Sequence, residues 1–247
     1  MPKALFITGT GTDVGKTALS LAVALWARGR GLRTAYLKPV QCGTFAFGTP
    51  PVQGGDADWI RALGGSGLRT QVTYRLRMAA SPHLAAEREG AALDTGRIRA
   101  EVEALRAASD LLIVEGAGGA AVPLDRTGTS LAALAAELGL PALIACAPGL
   151  GTLHHTLSTL AYLKSLNAPV AGFAFCHREA EPSGPDLSDD NRATLASLTG
   201  LPFFGALRYS PSLARGVAQD PAEASAWRAP LAAALEAWWM PDPAVAA

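Results

Sequence analysis

The sequence predicts one doubly wound α/β domain, with a mostly parallel sheet and helices on both faces. Three observations carry this reading. Short apolar runs alternate with helix-spaced segments along the chain. A glycine-rich turn, Gly9 to Thr17, joins the first apolar run to the first helical segment. Hydrophobic residues make up 49% of the 247 residues and charged ones only 17%, a composition that fills a large core and excludes wholesale disorder.

The elements follow in order. Ala4–Thr8 is an apolar run ending in glycines and reads as a buried strand. Thr17–Arg28 carries Leu19, Leu21, Val23 and Leu25 on a helical pattern, stopped by Gly29 and Gly31. Thr34–Lys38 is a second strand, and Gln41–Gly55, rich in Gly, Pro and Thr, a loop. Asp56–Leu63 reads as a short helix, Gln71–Leu76 as a strand, and Asp94–Ala108 as a helix capped by Asp94. Asp110–Val114, Pro141–Cys146 and Val170–Phe175 are strands, and Pro202–Gly205 begins the last one. Between them lie helices at Thr129–Leu138, Thr152–Leu166 and Asn191–Leu198, an exposed loop at Arg178–Asp190, and a terminal helix at Ala222–Trp239. No repeat, linker or composition shift divides the chain, so residues 1–240 read as one domain and 241–247 as a frayed tail.

Composition also excludes function classes. Lys and Arg number 21, Asp and Glu 21, so the formal net charge is zero and no nucleic-acid partner is expected. Three cysteines, Cys42, Cys146 and Cys176, show no CxxC spacing, which argues against a disulfide framework or a zinc site and for a reducing compartment. The apolar region Leu131–Leu150 is broken by Glu137, Gly139 and Pro141, and the N-terminus lacks a signal-peptide core. The expectation is a cytoplasmic protein without a membrane partner.

The stretch Gly9-Thr10-Gly11-Thr12-Asp13-Val14-Gly15-Lys16-Thr17 follows a strand and opens a helix, the setting of a phosphate-binding P-loop. Glycines let backbone N–H groups converge on phosphate oxygens, and the helix N-terminus adds partial positive charge. Lys16 can reach the β- and γ-phosphates, and the Thr17 hydroxyl can ligate Mg²⁺. The loop is a variant, because Thr10 stands where the strict pattern wants glycine. A Rossmann dinucleotide site fits less well, since position 14 is valine and the second strand ends in Lys38-Pro39 rather than an acid. The domain is therefore of the P-loop NTPase kind.

Three more residues point to phosphoryl chemistry. Leu111 to Val114 is a strand ending in Glu115, followed by Gly116-Ala117-Gly118-Gly119. A P-loop enzyme places its second magnesium-side acid there; the alternative is an exposed strand-end glutamate. Asp56 is either the N-cap of its helix or a metal-side carboxylate, with Asp58 as competitor, and spacing alone leaves both open. Lys38, pinned by Pro39, is either a solvated strand-end lysine or a group that holds an anionic substrate and transferred phosphoryl charge.

Taken together these motifs resemble the dethiobiotin synthetase family. The resemblance rests on Thr8-Gly9-Thr10 with Thr12, Val14 to Thr17, Lys38-Pro39-Val40, Gly55-Asp56-Ala57, Ser81-Pro82-His83, Val114 to Gly119 and Leu150 to His155, spread over roughly residues 1–206. It implies ATP-dependent closure of a ureido ring in biotin synthesis, from 7,8-diaminononanoate, CO₂ (or bicarbonate) and ATP, through a carbamate and a carbamic–phosphoric anhydride. It implies Lys16 and Lys38 as the catalytic charges, and Thr17, Asp56 and Glu115 as holders of Mg²⁺. The nucleotide would be lined by Asp13, Val14, Gly15, Lys16, Thr17, Asp56, Glu115, Gly116, Ala117, Gly118, Cys176, His177 and Arg208. Thr12, Lys38 and Cys42 would face the substrate, with Gly151 and Thr152 serving a neighbour's site in a homodimer.

The sequence departs from the family where Gly11 replaces Asp, Cys42 a small hydroxyl residue, His154 an Asn, and Arg208-Tyr209 Pro-Trp. Cys176-His177 replaces the Asn-Asp pair that reads the adenine edge, which puts base selectivity in question. His83, His154, His155 and His177 have no metal-ligand spacing, Cys42 lacks a nearby base, and Trp238-Trp239 read as packing residues. Two other classes share the scaffold. A partitioning or positioning switch ATPase carries an extra lysine where Gly11 stands, and a cobyrinate-type amide ligase needs an appended glutaminase domain for which this chain is too short.

Overall fold

The structure is a computed structural model that describes residues 3–43, 54–178, 186–214, 216 and 220–240. Seven segments, all but the edge strand β3 mostly apolar, form its strands: β1 (Lys3–Gly9), β2 (Thr34–Cys42), β3 (Arg69–Leu76), β4 (Leu111–Glu115), β5 (Ala142–Cys146), β6 (Val170–Cys176) and β7 (Phe203–Leu207). They make one sheet in the order β3-β2-β4-β1-β5-β6-β7, and every pairing within it is parallel. All carboxyl ends therefore lie on one edge. The chain order changes direction at β1, between β4 and β5, and ligands bind at such switch points.

The period of two sorts each strand between two cores. Ala4 and Phe6 of β1 join Leu112 and Val114 of β4 beneath helices α3 (Pro82–Glu89), α4 (Thr95–Ala108), α5 (Leu131–Glu137), α6 (Thr152–Ser165) and α7 (Ser188–Thr199). Leu5 and Ile7 join Ile113 beneath α1 (Lys16–Gly29), α2 (Asp56–Gly64), the short α8 (Pro211–Ala214) and α9 (Pro221–Trp239). The terminal helix is tied to the rest at its carboxyl end. Trp239 meets Trp26 of α1 edge to face at 6.1 Å, and the Lys3 ammonium donates to the carbonyls of Trp238 and Trp239. At Gly205 (φ 115°) a Cβ would lie 2.3 Å from the Pro230 carbonyl oxygen, so only glycine lets α9 sit this close to β7.

Several boundaries differ from the sequence reading. Strand β2 runs on through Pro39 to Cys42. Its pairing with β4 has ended at Leu37, so the missing N–H removes nothing from that ladder. Helix α3 lies where the sequence suggests only a helix start at Ser81-Pro82-His83 and no bounded element; Ser81 and Pro82 supply its N-cap and N1 positions and Gly90 (φ 64°) its end. Helix α7 begins at Ser188, inside the expected loop, because Asp189 and Asp190 suit a helix first turn. The loop residues 44–53 and 179–185 and the tail 241–247 lie outside the described residues. Among the described residues no helix is long and apolar enough to cross a membrane.

Candidate active site

The carboxyl edge of the sheet opens into a cavity of about 1000 Å³. Its floor is the turn between β1 and α1. Asp13 (φ 56°) and Gly15 (φ 95°) are both left-handed, and such alternation gathers backbone amides into an anion nest at a helix N-terminus. Gly15 has a second reason to lack a side chain: a Cβ there would lie 2.3 Å from the Cβ of Cys176, which packs beneath the loop. Gly15→Ala is expected to destabilise the fold by about 2–4 kcal/mol, the sum of left-handed strain and overpacking. Chemical denaturation measures this, and a loss below about 0.5 kcal/mol would contradict the contact.

Lys16 is buried against the turn, its ammonium donating to the Gly11 carbonyl at 2.7 Å. Burial lowers its pKa, with Lys38 pushing the same way and Glu115, Asp56 and Asp13 opposing. Nearby charges of both signs thus already meet at the loop before any ligand arrives.

Lys38 is the centre of the site. It is 3% exposed, which removes the solvated strand-end reading. Its three donors find three acceptors: Asp56 Oδ2 at 2.7 Å, Glu115 Oε1 at 2.7 Å and the Gly116 carbonyl at 2.9 Å. Burial opposes the charge, but the two carboxylates outweigh it and hold the pKa above the ordinary lysine value. Asp56 shows the converse: burial would raise its carboxyl, and Lys38, Thr17 and Lys16 together bring it below the usual range.

Glu115 is 0% exposed, so it is no solvent-facing strand end. All of its partners are donors. Oε1 accepts from Thr17 Oγ1 (2.9 Å) and Lys38 Nζ, and Oε2 accepts from Ser20 Oγ (2.7 Å) and Tyr36 Oη (3.0 Å). Burial first, then the charges of Glu115 and Asp56, push the Tyr36 phenol well above its ordinary value, so it stays a donor.

Asp56 does not cap α2. Gly55 is the N-cap and Asp56 the first helical residue. The capping contact comes from Asp58, whose Oδ2 accepts from the Gly55 N–H at 3.1 Å while also pairing with Arg75 at 2.7 Å. Asp58 is thereby turned away from Lys38, and Asp56 is left to meet it.

Of the residues expected at the nucleotide, Asp13, Gly15, Lys16, Thr17 and Asp56 line the cavity, as do Ala117, Gly118, His177 and Arg208. Val14, Glu115, Gly116 and Cys176 do not: Glu115 and Gly116 reach it through Lys38, and Val14 and Cys176 are buried beneath the turn. Thr12, Lys38 and Cys42, the residues expected at the substrate, line the same cavity. The Cys42 thiol is pushed up to about 11 by burial, so it is protonated at neutral pH. Gly151 and Thr152 lie outside this cavity, at the start of α6, where Gly151 (φ 90°) is the N-cap and Thr152 is buried near Thr156.

Sequence reasoning missed four contributors. Ser20 and Tyr36 complete the shell of Glu115. Ser20 lies one turn after Thr17, and Tyr36 sits two residues before Lys38 on the same strand face, spacings that single them out only once Glu115 is placed between them. Trp59 and Trp227 line the far wall, donating from their indole nitrogens to the carbonyls of Leu213 (3.1 Å) and Arg208 (2.9 Å). Those two bonds fix the segment after β7, and no local pattern announces them.

A family model described as an AAA domain matches residues 3–216. The ATP-dependent dethiobiotin synthetase BioD of Halalkalibacterium halodurans is 33% identical over 88% of this chain and 89% of its own length. That of a Mycobacterium species (strain KMS) is 43% identical over 78% and 83%. Among solved structures, the cell division ATPase MinD of Pyrococcus furiosus superposes with a TM-score of 0.60 at 14% identity, covering 96% of this chain and all of its own (100%). A ParA family ATPase from Chlorobium tepidum gives 0.55 at 14% identity over 96% and 97%. At that identity the structural likeness carries the fold alone.

Proposed function

The chain belongs to the dethiobiotin synthetase family and is an ATP-dependent ligase, and from that premise we propose that it closes the ureido ring of dethiobiotin from 7,8-diaminononanoate and CO₂. The observation that carries the reading is the Lys38 ammonium bridging Asp56 and Glu115 beside the phosphate-binding turn. CO₂ adds to one amine to give a carbamate. The carbamate oxygen takes the γ-phosphoryl group of ATP, forming a carbamic–phosphoric anhydride. The second amine attacks the carbonyl carbon, the C–O bond breaks, phosphate leaves with that oxygen, and the ring closes. No protein nucleophile is needed, so the chain supplies positioning and charge. The turn and Lys16 hold the ATP phosphates, while Lys38 faces the carbamate and the phosphoryl group in transfer. Thr12 and Cys42 border the diamine.

Magnesium fits the residues present. Among the described residues no group of three or more His, Cys, Asp and Glu could hold a metal unaided. Thr17 and Asp56 on the cavity wall, with Glu115 behind them through the Oε1 that accepts from Thr17 and Lys38, would offer one hydroxyl and two carboxylates beside the phosphate turn once those Oε1 contacts give way, an all-oxygen set that suits Mg²⁺ shared with a substrate's phosphates. When bound, the ion would offset charge on the β- and γ-phosphates. In the homodimer reading Gly151, at the start of α6 and outside its own chain's cavity, completes a neighbour's pocket, while the buried Thr152 side chain stays against Thr156.

The test is incubation with Mg-ATP, bicarbonate and 7,8-diaminononanoate. Phosphate release that requires the diamine, with a product of the ureido mass, supports ring closure. Release without the diamine, or release that answers to DNA, membrane or a protein partner, places the chain with the switch ATPases. Base choice gives a further expected result. Among the described residues that line the cavity the one carboxamide is Gln41, whose oxygen accepts from the Ala57 N–H at 3.4 Å, and His177, Arg208 and Tyr209 supply none. ATP is therefore expected to exceed GTP and CTP in kcat/KM by less than roughly a hundredfold. A larger preference would mean that other groups read adenine.

A further inference from the structure

Glu115 has two unlike edges. Oε1 faces Thr17 and Lys38, both of which line the cavity. Oε2 faces Ser20 and Tyr36, both 0% exposed and neither on the cavity wall. A carboxylate with no exposed surface needs its lone pairs met by donors, and here two of its four donors come from the core side. Tyr36 is otherwise a residue of an apolar layer, packed with Leu5, Ile7, Ile113 and α1, where phenylalanine would serve as well. Its hydroxyl donates to Glu115. Ser20 stands one helical turn beyond Thr17, so α1 contributes a hydroxyl to each edge.

The consequence is geometric. With both hydroxyls in place the carboxylate cannot rotate without giving up a bond at Oε2. Its front oxygen is fixed, and through it so are the Lys38 ammonium and the Thr17 hydroxyl. We propose that Tyr36 and Ser20 are positioning residues of the ring-closing reaction, which hold the core-side oxygen of Glu115 so that its other oxygen keeps Lys38 and Thr17 aligned at the phosphate turn. The proposal rests on the assignment of Glu115, Lys38 and Thr17 to that reaction.

The experiment compares Tyr36→Phe, Ser20→Ala and the double variant with the wild-type enzyme in dethiobiotin formation. Each single change removes one donor and leaves the other. Each is expected to lower kcat about tenfold while the KM for ATP stays within about threefold. The double variant is expected to fall by more than the product of the two, because only it frees the carboxylate. The magnesium concentration giving half the maximal rate is expected to rise in all three. A purely structural role would lower the melting temperature and leave kcat and the magnesium dependence within about twofold at a temperature where the variants are folded; that result overturns the proposal. Should Tyr36→Phe fail to fold, Ser20→Ala carries the same comparison alone. Glu115→Gln and Lys38→Met serve as references. If they abolish ring closure while Tyr36→Phe and Ser20→Ala do not affect it, this inference alone falls. If they too leave ring closure intact, the site assignment falls and takes the inference with it.

Discussion

Lys38→Met is expected to lower turnover about 10³-fold and to cost roughly 3–5 kcal/mol of folding stability. The two losses have one origin. The ammonium is buried and satisfies Asp56, Glu115 and the Gly116 carbonyl at once. Without it, Glu115 keeps only hydroxyl donors in a site with no water access. In the proposed reaction, the same ammonium is the fixed positive charge that faces the carbamate. Arginine does not replace it, because a planar fork does not match three acceptors gathered around one nitrogen. Lys38→Arg therefore separates the effects, with much of the stability retained and most of the turnover lost. Steady-state phosphate release and chemical denaturation give both numbers. Turnover within tenfold of wild type for Lys38→Met would remove Lys38 from the chemistry.

Glu115→Gln is expected to lower turnover by about 10²–10³-fold while costing only about 1–2 kcal/mol of stability. The asymmetry follows from the partners. Lys38 can only donate, so the amide oxygen must face it. The amide NH₂ then meets Ser20 and Tyr36, whose hydroxyls can turn and accept. The core tolerates the change, but the site loses a negative charge that balances Lys38 and that a metal would use. Equal losses in rate and stability, or an unchanged rate, would show that Glu115 acts only as a core residue.

Much of this site was legible in the sequence because it is built at strand ends. A strand, a glycine turn and Gly-Lys-Thr at a helix start identify the phosphate site, Glu115 closes β4, and Lys38 stands on the neighbouring β2 just past the end of their pairing. What stayed hidden depends on contacts between distant segments. Whether Asp56 caps its helix or meets Lys38 cannot be read from spacing, since Asp58 competes for either role; Arg75, from β3, decides it by holding Asp58. Proline at 39 reads as the end of a strand, yet β2 continues because its partner on the β4 side has already stopped. Helix α3 has only eight residues, too few for a clear apolar period, and its evidence was a Ser-Pro start and a Gly90 stop. Ser20 and Tyr36 are ordinary residues of apolar segments until the fold sets both against one carboxylate.

In the proposed reaction the γ-phosphoryl group passes to the oxygen of a carbamate, not to water. Single-turnover reaction with oxygen-18-labelled bicarbonate in unlabelled water, started before the label exchanges, tests it directly. The phosphate released with dethiobiotin should carry a labelled oxygen, because the bond broken at ring closure joins that oxygen to the carbonyl carbon. Phosphate carrying no label would mean that water or another acceptor receives the phosphoryl group, and the ring-closing account of this site would be wrong.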